Sequence, residues 1–547
     1  MLPTLVEQLA NDTAGLSLPR SAPEVTLVVT IVALLLARVP AALRRIDPVW
    51  IALTGALVAL GCLLGEARGG LAAIEPVELF TGMLRHDALG VFSRGLLLMF
   101  LVMMVVLSKL TGLASRDDGQ DFFVLLFGAT LGMCVMCRAN HLMTVVLGIE
   151  MASVPSYVLV GIVKGRRRSG EAALKYSVYG AAAAGVMLYG VSLLAGLLGS
   201  VHLPTLGLRL AELQVASLAG DPSQRGVIMA LALAGVLVLV GMAFKLSAAP
   251  FHFWAPDVFA GAPAEVGAFL SVASKTAALV LLLRLVSLVL PHGVSVDAAL
   301  PGEGVSRLAA MSDAGPAAPA RAFVVGLIAT AAAVTCTLGN LAALSQTNAK
   351  RLLAYSTIAH AGYLLMPIAA AIALAEHDPA GASGAAAAVM LYAAGYLFLN
   401  FTAFAAVAAI RNTRGAETIE DYAGLIRTAP VTAVAFCLAM IGLLGLPPLV
   451  GFWGKLAALR ALVDAGGPWM VMLLVVAVLN TALSLVYYLR VVKTICLDAP
   501  PEDAGVERPE RPTRLLLAVG AAPILLLGIA PEWLARLAGE ACQGLFG

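Results

Sequence analysis

The sequence predicts an all-α integral membrane protein of about fourteen transmembrane helices. Three observations lead there. Hydrophobic residues make up 60% of the 547-residue chain. Charged residues make up 12%, against about 25% in soluble domains. The apolar residues come in blocks of about 20, the length at which a helix crosses a bilayer, with charges between the blocks. Helices suit lipid because each satisfies its own backbone polar groups. A net charge of +2 implies no nucleic-acid partner and no acidic one. The partner it does imply is the lipid bilayer.

In chain order, residues 1–22 contain Glu7 and Asp12 and lack a basic n-region. They read as a short tail rather than a cleaved signal peptide. Three spans follow near 24–39, 49–65 and 89–112. Five more lie near 120–138, 140–163, 171–199, 226–247 and 264–290. After an Ala/Gly/Pro-rich loop at 291–321, read as irregular, come 322–345, 352–375, 383–410, 429–463 and 468–492. The last span is near 513–535. The block 429–463 is long enough for two half-helices. Its middle reads GLLGLPPLVGFWGK, so Pro447 and Pro448 break it and Lys455 follows the break. An earlier stretch, 226–290, is interrupted by Pro250, Pro256 and Pro263 in the same manner. Two broken helices about 200 residues apart are the sequence pattern of an ion pathway in a transporter.

Basic residues set the orientation. Arg38, Arg44 and Arg45, then KGRRR at 164–168, Lys350 and Arg351, Arg411 and Arg414, and Arg490 and Lys493 all follow odd-numbered spans. Both termini are therefore expected outside the cytoplasm, with 249–263 facing in. The loops 66–88, 200–225 and 291–321 mix arginines with acids. Cys134 and Cys137 form a CxxC within a span, with no second pair and no histidine at ligand spacing. They read as small packing residues. No phosphate loop, nucleotide fingerprint or iron–sulfur pattern occurs, so the chain is expected to bind no redox cofactor of its own.

Four ionisable residues fall inside apolar runs: Glu150, Lys245, Lys275 and Lys455. A lysine at a bilayer centre costs about 2.5–3.5 kcal/mol on insertion scales, and such residues are functional by default. Desolvation disfavours a charged amine and a nearby carboxylate favours it, so a buried lysine beside a movable glutamate can release and regain a proton. Helix breaks expose carbonyls that order water between such stations. His252 in PFHFW and His360 in AYSTIAHAGY flank the four, and Tyr355, Ser356, Thr357 and Tyr363 add hydroxyls. Each has a plainer reading alone. Lys245 snorkels to an interface, His252 anchors there beside Trp254, and Glu150 or His360 satisfies a neighbouring helix. Glu171 and Lys175, four apart, read as a solvated helix start.

The motifs LGIEMASVPSYVLVG, EAALKYSVYGA, FKLSAAPFHFWAPDVFAGAPAEVGAFLSVASK, QTNAKRLLAYSTIAHAGYLL and GLPPLVGFWGK occur in that order. In them the chain resembles the subunit N family of bacterial NADH-quinone oxidoreductase (respiratory complex I), counterpart of mitochondrial complex I subunit 2. The resemblance covers nearly the whole chain. It implies an antiporter-like fold with broken helices 7 and 12 and two inverted five-helix repeats. The chain would divide into 1–119 (helices 1–3), 120–290 (first repeat, helices 4–8), the loop 291–321, 322–495 (second repeat, helices 9–13) and 496–547 (C-terminal loop and helix 14). It implies a non-redox subunit of a proton-pumping translocase in the bacterial inner membrane. FMN, iron–sulfur clusters, NADH and quinone would sit in other subunits, and the partners would be other membrane-arm subunits, neighbouring antiporter-like ones among them. Glu150 and Lys245 match the family's gating pair, Lys275 and Lys455 its onward stations, and His360 the histidine of its AHxGY motif. MASVPS after Glu150, and Pro448 and Trp453, depart from the usual pattern without removing a charged station. Arg138 and His141, in RANHL, have no role in this reading. The same module also occurs in Mrp-type cation/proton antiporters and in membrane-bound hydrogenase or ferredoxin-driven complexes, which stand as the alternatives.

Overall fold

A computed structural model describes residues 10–39, 47–113, 119–218, 224–287, 318–415, 417–500 and 509–546. The irregular loop expected at 291–321 lies almost entirely outside the described residues. Among those described, thirteen helices are long and apolar enough to cross a membrane. The expected fourteenth is the divided one.

Helices α1 (Ala22–Leu36), α2 (Pro48–Glu66) and α3 (Ala88–Leu110) come first. A small hairpin, β1 (Val77–Leu79) with β2 (Leu84–His86), joins α2 to α3. Then follow α4 (Gly119–Arg138), α5 (Leu142–Val160), α6 (Arg167–Leu198), α7 (Leu203–Leu218), α8 (Gln224–Leu246), α9 (Trp254–Gly261) and α10 (Ala264–Val286). The second half runs α11 (Ala318–Leu344), α12 (Ala349–Leu374), α13 (Pro379–Arg414), α14 (Pro430–Leu444), α15 (Val450–Ala465) and α16 (Gly467–Cys496). Helices α17 (Arg511–Ile529) and α18 (Glu532–Cys542) end the chain.

Both predicted breaks are present. Pro447 and Pro448 fall between α14 and α15, and Pro250 falls between α8 and α9. Two loops expected from the sequence are more structured than their composition suggests. The stretch 66–88 holds the hairpin, and 200–225 holds α7. Polar and Gly/Pro content hid both, because a short hairpin or surface helix lacks the long apolar run that marks a span. The first span also starts earlier than residue 24, at Pro19.

Helix α10 sits at the centre, with all of its residues buried. It packs against α3, α4, α12 and α13, and α12 and α13 are themselves almost wholly buried. The outer helices α1, α2, α6, α8, α11, α16 and α17 turn bulky apolar side chains outward, Val29, Leu64, Leu174, Leu479 and Ile529 among them. That is the pattern of a bundle solvated by lipid: apolar all round, with the charges gathered inside.

One local device occurs twice. At the start of α5, His141 bridges His202 beyond α6, with Leu142 N–H donating to the Val201 carbonyl at 2.7 Å. At the start of α12, Asn348 bridges Thr418 beyond α13, with Ala349 N–H donating to the Glu417 carbonyl at 3.1 Å. In each case the bridging residue is also the side-chain N-cap of its helix. The two helices begin five crossings apart, so these staples lie on opposite ends of the bundle, as an inverted repeat requires.

Candidate functional site

The seventh span ends where Ser247 adopts φ +56°, and Gly445, at φ +88°, caps the first half of the divided span. Each break leaves carbonyls at the negative end of a helix dipole without helical partners. A lysine meets each of them. Lys275, from α10, donates to the carbonyl of Leu246, the last residue of α8, and to Ser247 Oγ at 3.1 Å. Lys455, from α15, donates to the carbonyl of Leu444, the last residue of α14, at 2.9 Å. Two further polar groups of the first break are matched, by Thr335 Oγ1, which accepts from Ala249 N–H at 2.9 Å, and by Trp254 Nε1, which donates to the Phe244 carbonyl at 3.2 Å.

This geometry corrects the sequence echo. The breaks correspond, but Lys245 precedes its break whereas Lys455 follows the other. The residue that does at the first break what Lys455 does at the second is Lys275, supplied by the next helix.

Lys245 is buried at the end of α8 and donates to Ser153 Oγ at 2.9 Å. Ser153 lies one turn beyond Glu150 on α5. The Glu150 carboxylate is near enough to act electrostatically on Lys245, yet its Oε1 is buried without a hydrogen-bond partner. Among the described residues, then, Lys245 is held by a hydroxyl while the glutamate stands beside it unbonded.

His360 lies on α12, buried, with its ring between two tyrosines. Nδ1 is 2.7 Å from Tyr392 Oη and Nε2 is 3.1 Å from Tyr488 Oη. A neutral imidazole donates from one nitrogen and accepts at the other, so one tyrosine gives a proton to the ring and the other receives one. One turn earlier, Thr357 Oγ1 lies 3.5 Å from Ser271 Oγ, itself one turn before Lys275. On the other side, Tyr392 packs against Gly454, where an added Cβ would fall 2.9 Å from the Tyr392 Cα. Lys455 follows directly and sits 4.7 Å over the Tyr363 ring. The buried Tyr396 hydroxyl has no partner, and its ring is 5.1 Å from that of His360. Ser271, Thr357, His360 and Tyr392 thus form a polar ladder from the Lys275 helix to the Lys455 helix.

His252 is buried in the first break with its ring 4.4 Å from that of the exposed Phe253. No hydrogen bond joins it to Lys245 or Lys275 among the described residues, and its Nδ1 is buried without a partner. Glu171 and Lys175 pair at 2.9 Å, but Lys175 also reaches Asp257 at 2.8 Å, and Asp257 meets Arg351 at 3.2 Å. What reads as a solvated helix start is therefore part of a clamp on α9. Cys134 and Cys137 are fully buried thiols, and no cluster of metal-ligating side chains occurs among the described residues.

Sequence reasoning missed a second set of buried charges. Arg94, fully buried, donates to Glu24 at 3.0 Å and to Glu66 at 2.9 Å. Arg138 also reaches Glu24, at 3.2 Å. Arg284 binds both oxygens of Asp87, at 2.8 and 2.7 Å. Burial alone would raise the Asp87 carboxyl, but the Arg284 guanidinium holds it below the usual carboxylate range. Glu265 pairs with Arg411 at 3.1 Å. Arg94, seven residues into its helix, was the available signal.

The family model described as "NADH:quinone oxidoreductase/Mrp antiporter, TM" matches residues 139–301 and 304–481. The NADH-quinone oxidoreductase subunit N of Anaeromyxobacter sp. (strain Fw109-5) is 39% identical over 483 residues, covering 87% of this chain and 88% of that protein. Subunit N 2 of Sorangium cellulosum (strain So ce56) is 36% identical over 485 residues, covering 86% and 87%. Among solved structures, a chain of respiratory complex I from Thermus thermophilus with bound Aureothin superposes with a TM-score of 0.70 at 31% identity, covering 94% of this chain and 99% of that one. A chain of the Mrp complex from Dietzia sp. DQ12-45-1b shares the fold, with a TM-score of 0.73 at 21% identity over 96% and 97%.

Proposed function

Because the chain belongs to the subunit N family of NADH-quinone oxidoreductase, we propose that its buried lysines form the proton relay of that multi-pass membrane subunit. The protein is a proton-translocating, non-redox component of the NADH:quinone translocase. In the relay, Glu150 controls the charge on Lys245, Lys275 takes the next position at the first break, and the ladder through His360 leads to Lys455. One observation carries this reading. Lys275 and Lys455 each sit on the last carbonyl of a broken helix, with the polar side chains of Ser271, Thr357, His360 and Tyr392 spaced between them. A cation bound there is stabilised by the helix dipole and released when its proton leaves.

Helices 4–8 and 9–13 form the two inverted repeats, a division supported by the paired staples. The chain binds no cofactor itself, and FMN, iron–sulfur clusters, NADH and quinone act in other subunits. Its partners are the other membrane-arm subunits, including antiporter-like neighbours. It lies in the bacterial inner membrane with both termini in the periplasm. His252, buried in the first break, is the less firmly placed member of the relay.

The test is the complete complex in proteoliposomes, with NADH oxidation and proton uptake measured together. Glu150→Gln and Lys455→Met are expected to lower protons moved per NADH while the quinone-reducing chemistry persists. Unchanged stoichiometry in both variants would sink the relay. Purification without any NADH-oxidising subunits, beside other antiporter-type chains alone, would favour the Mrp-type reading.

A further inference from the structure

The set of charges under the hairpin is unlike the lysine line, and nothing in the relay uses it. Glu24 opens α1, Glu66 closes α2, Arg94 is in the second turn of α3, and Arg138 closes α4. All four therefore meet at one end of the bundle. The hairpin lies over them and brings in His86, 3.9 Å from Glu66. Two carboxylates already neutralise two guanidiniums there. Beside them Asp87 is shared by Arg284 and Arg85, at 2.7 and 3.4 Å.

Four polar atoms in this nest are buried with no hydrogen-bond partner: Glu66 Oε1, His86 Nδ1, and Arg138 Nε and Nη2. Arg138 is 0% exposed and His86 6%. One of the four accepts, two donate, and the ring nitrogen does either. A small anion suits this mixture poorly, because one of the four atoms is a carboxylate oxygen that would repel it. Water suits it, since a buried water takes two to four polar partners of both kinds.

We propose that Glu66, His86 and Arg138 enclose a water-binding site that acts as a proton port between the end of the bundle and the aqueous phase. A proton that arrives from the bundle on the Glu66 carboxylate, ionised until then, passes to the water, which gives one to His86 Nδ1 while the imidazole releases its Nε2 proton to the aqueous side. Glu66 is left ionised against Arg94. Burial first, and then Arg94 and Arg138, keep the imidazole neutral at rest, so His86 passes a proton by exchanging tautomers rather than storing it. Helix α10 carries Lys275 and, nine residues on, Arg284 at the edge of the nest, a separation of about 13 Å along the helix. The port rests on the proton-translocating reading of the chain.

The experiment uses the whole complex. A water-resolving density map is expected to show ordered water within hydrogen-bond distance of Glu66 Oε1 and His86 Nδ1. A dry nest overturns the proposal. In proteoliposomes, His86→Gln is expected to lose the same share of protons per NADH that Glu150→Gln loses. Because His86 is on the hairpin, this change leaves the Glu24–Arg94–Glu66 ion pairs in place. Glu66→Gln, which keeps an acceptor for Arg94, is the second variant and is expected to do the same. Normal pumping by an assembled His86→Gln complex, with Glu150→Gln still impaired, overturns the port and leaves the lysine relay standing. Normal pumping in all three overturns both.

Discussion

Lys455 closes the broken end of a helix that is not its own segment, donating to the Leu444 carbonyl at 2.9 Å across the break. The bond ties a titratable charge to backbone geometry. Lys455→Met removes the donor and leaves that carbonyl unmatched, at about 1–3 kcal/mol. The expected result is lower thermal stability together with lost pumping. Lys455→Arg, which keeps the charge but scarcely releases a proton, is expected to recover stability and not pumping. Recovery of both would show that only the charge matters.

Ser153 competes with Glu150 for Lys245. Ser153→Ala is expected to let the Lys245 ammonium turn to the carboxylate, seen in a density map as an ion pair within salt-bridge distance. An ammonium still clear of Glu150 would mean that the backbone, and not the hydroxyl, holds the pair apart.

Arg94 is buried between two carboxylates. Its removal as Arg94→Met strands Glu66, leaves Glu24 to Arg138 alone, and is expected to cost about 3–5 kcal/mol. Adding Glu66→Gln should restore much of the loss, so the coupling is read from a double-mutant cycle on thermal unfolding. Simple additivity would contradict the pairing.

Gly528 of α17 touches the second break, where an added Cβ would fall 2.0 Å from the Pro448 carbonyl oxygen. The Gly528 carbonyl also accepts from Trp453 Nε1 at 2.7 Å. Gly528→Ala is expected to push α17 off the break and cost about 1–3 kcal/mol, with pumping impaired through the displaced loop. Wild-type stability would show that α17 yields freely.

His86 lies outside the spans, and its ordinary value of 6.5 is pushed down to about 4, by burial first and then by the nearby guanidiniums. Between those values the unfolded chain binds a proton that the folded chain refuses. Stability is therefore full above pH 6.5, declines as pH falls towards 4, and levels off below. In His86→Gln this part of the pH–stability curve is expected to flatten. Thermal midpoints at stepped pH check it, and an unaltered slope would assign the acid sensitivity elsewhere.

The spans and both breaks were legible because bilayer thickness and proline leave plain marks on a sequence. Glu150, Lys245, Lys275 and Lys455 were legible as charges in apolar runs. Their partners were not. Ser153, Ser271, Tyr392 and Tyr488 are ordinary residues in a helix, and only the crossing of α5, α10, α12, α13 and α16 gives them meaning. Arg94 escaped notice, and Arg138 was seen but given no role, because their neutralising acids lie on other helices, far off in sequence. The hairpin escaped because three-residue strands carry no period to read.

Helix α10 has no residue that faces lipid. Of its neighbours α3, α4, α12 and α13, the last two are translated later, so during biosynthesis it enters the bilayer with only α3 and α4 of these in place. Lys275 is then in hydrocarbon without the finished bundle around it, offset only by the leucine-rich remainder of the segment. The most buried element of the folded protein is thus the most exposed during its making. A chain arrested soon after Val286 is the form that quality-control proteases would be expected to find.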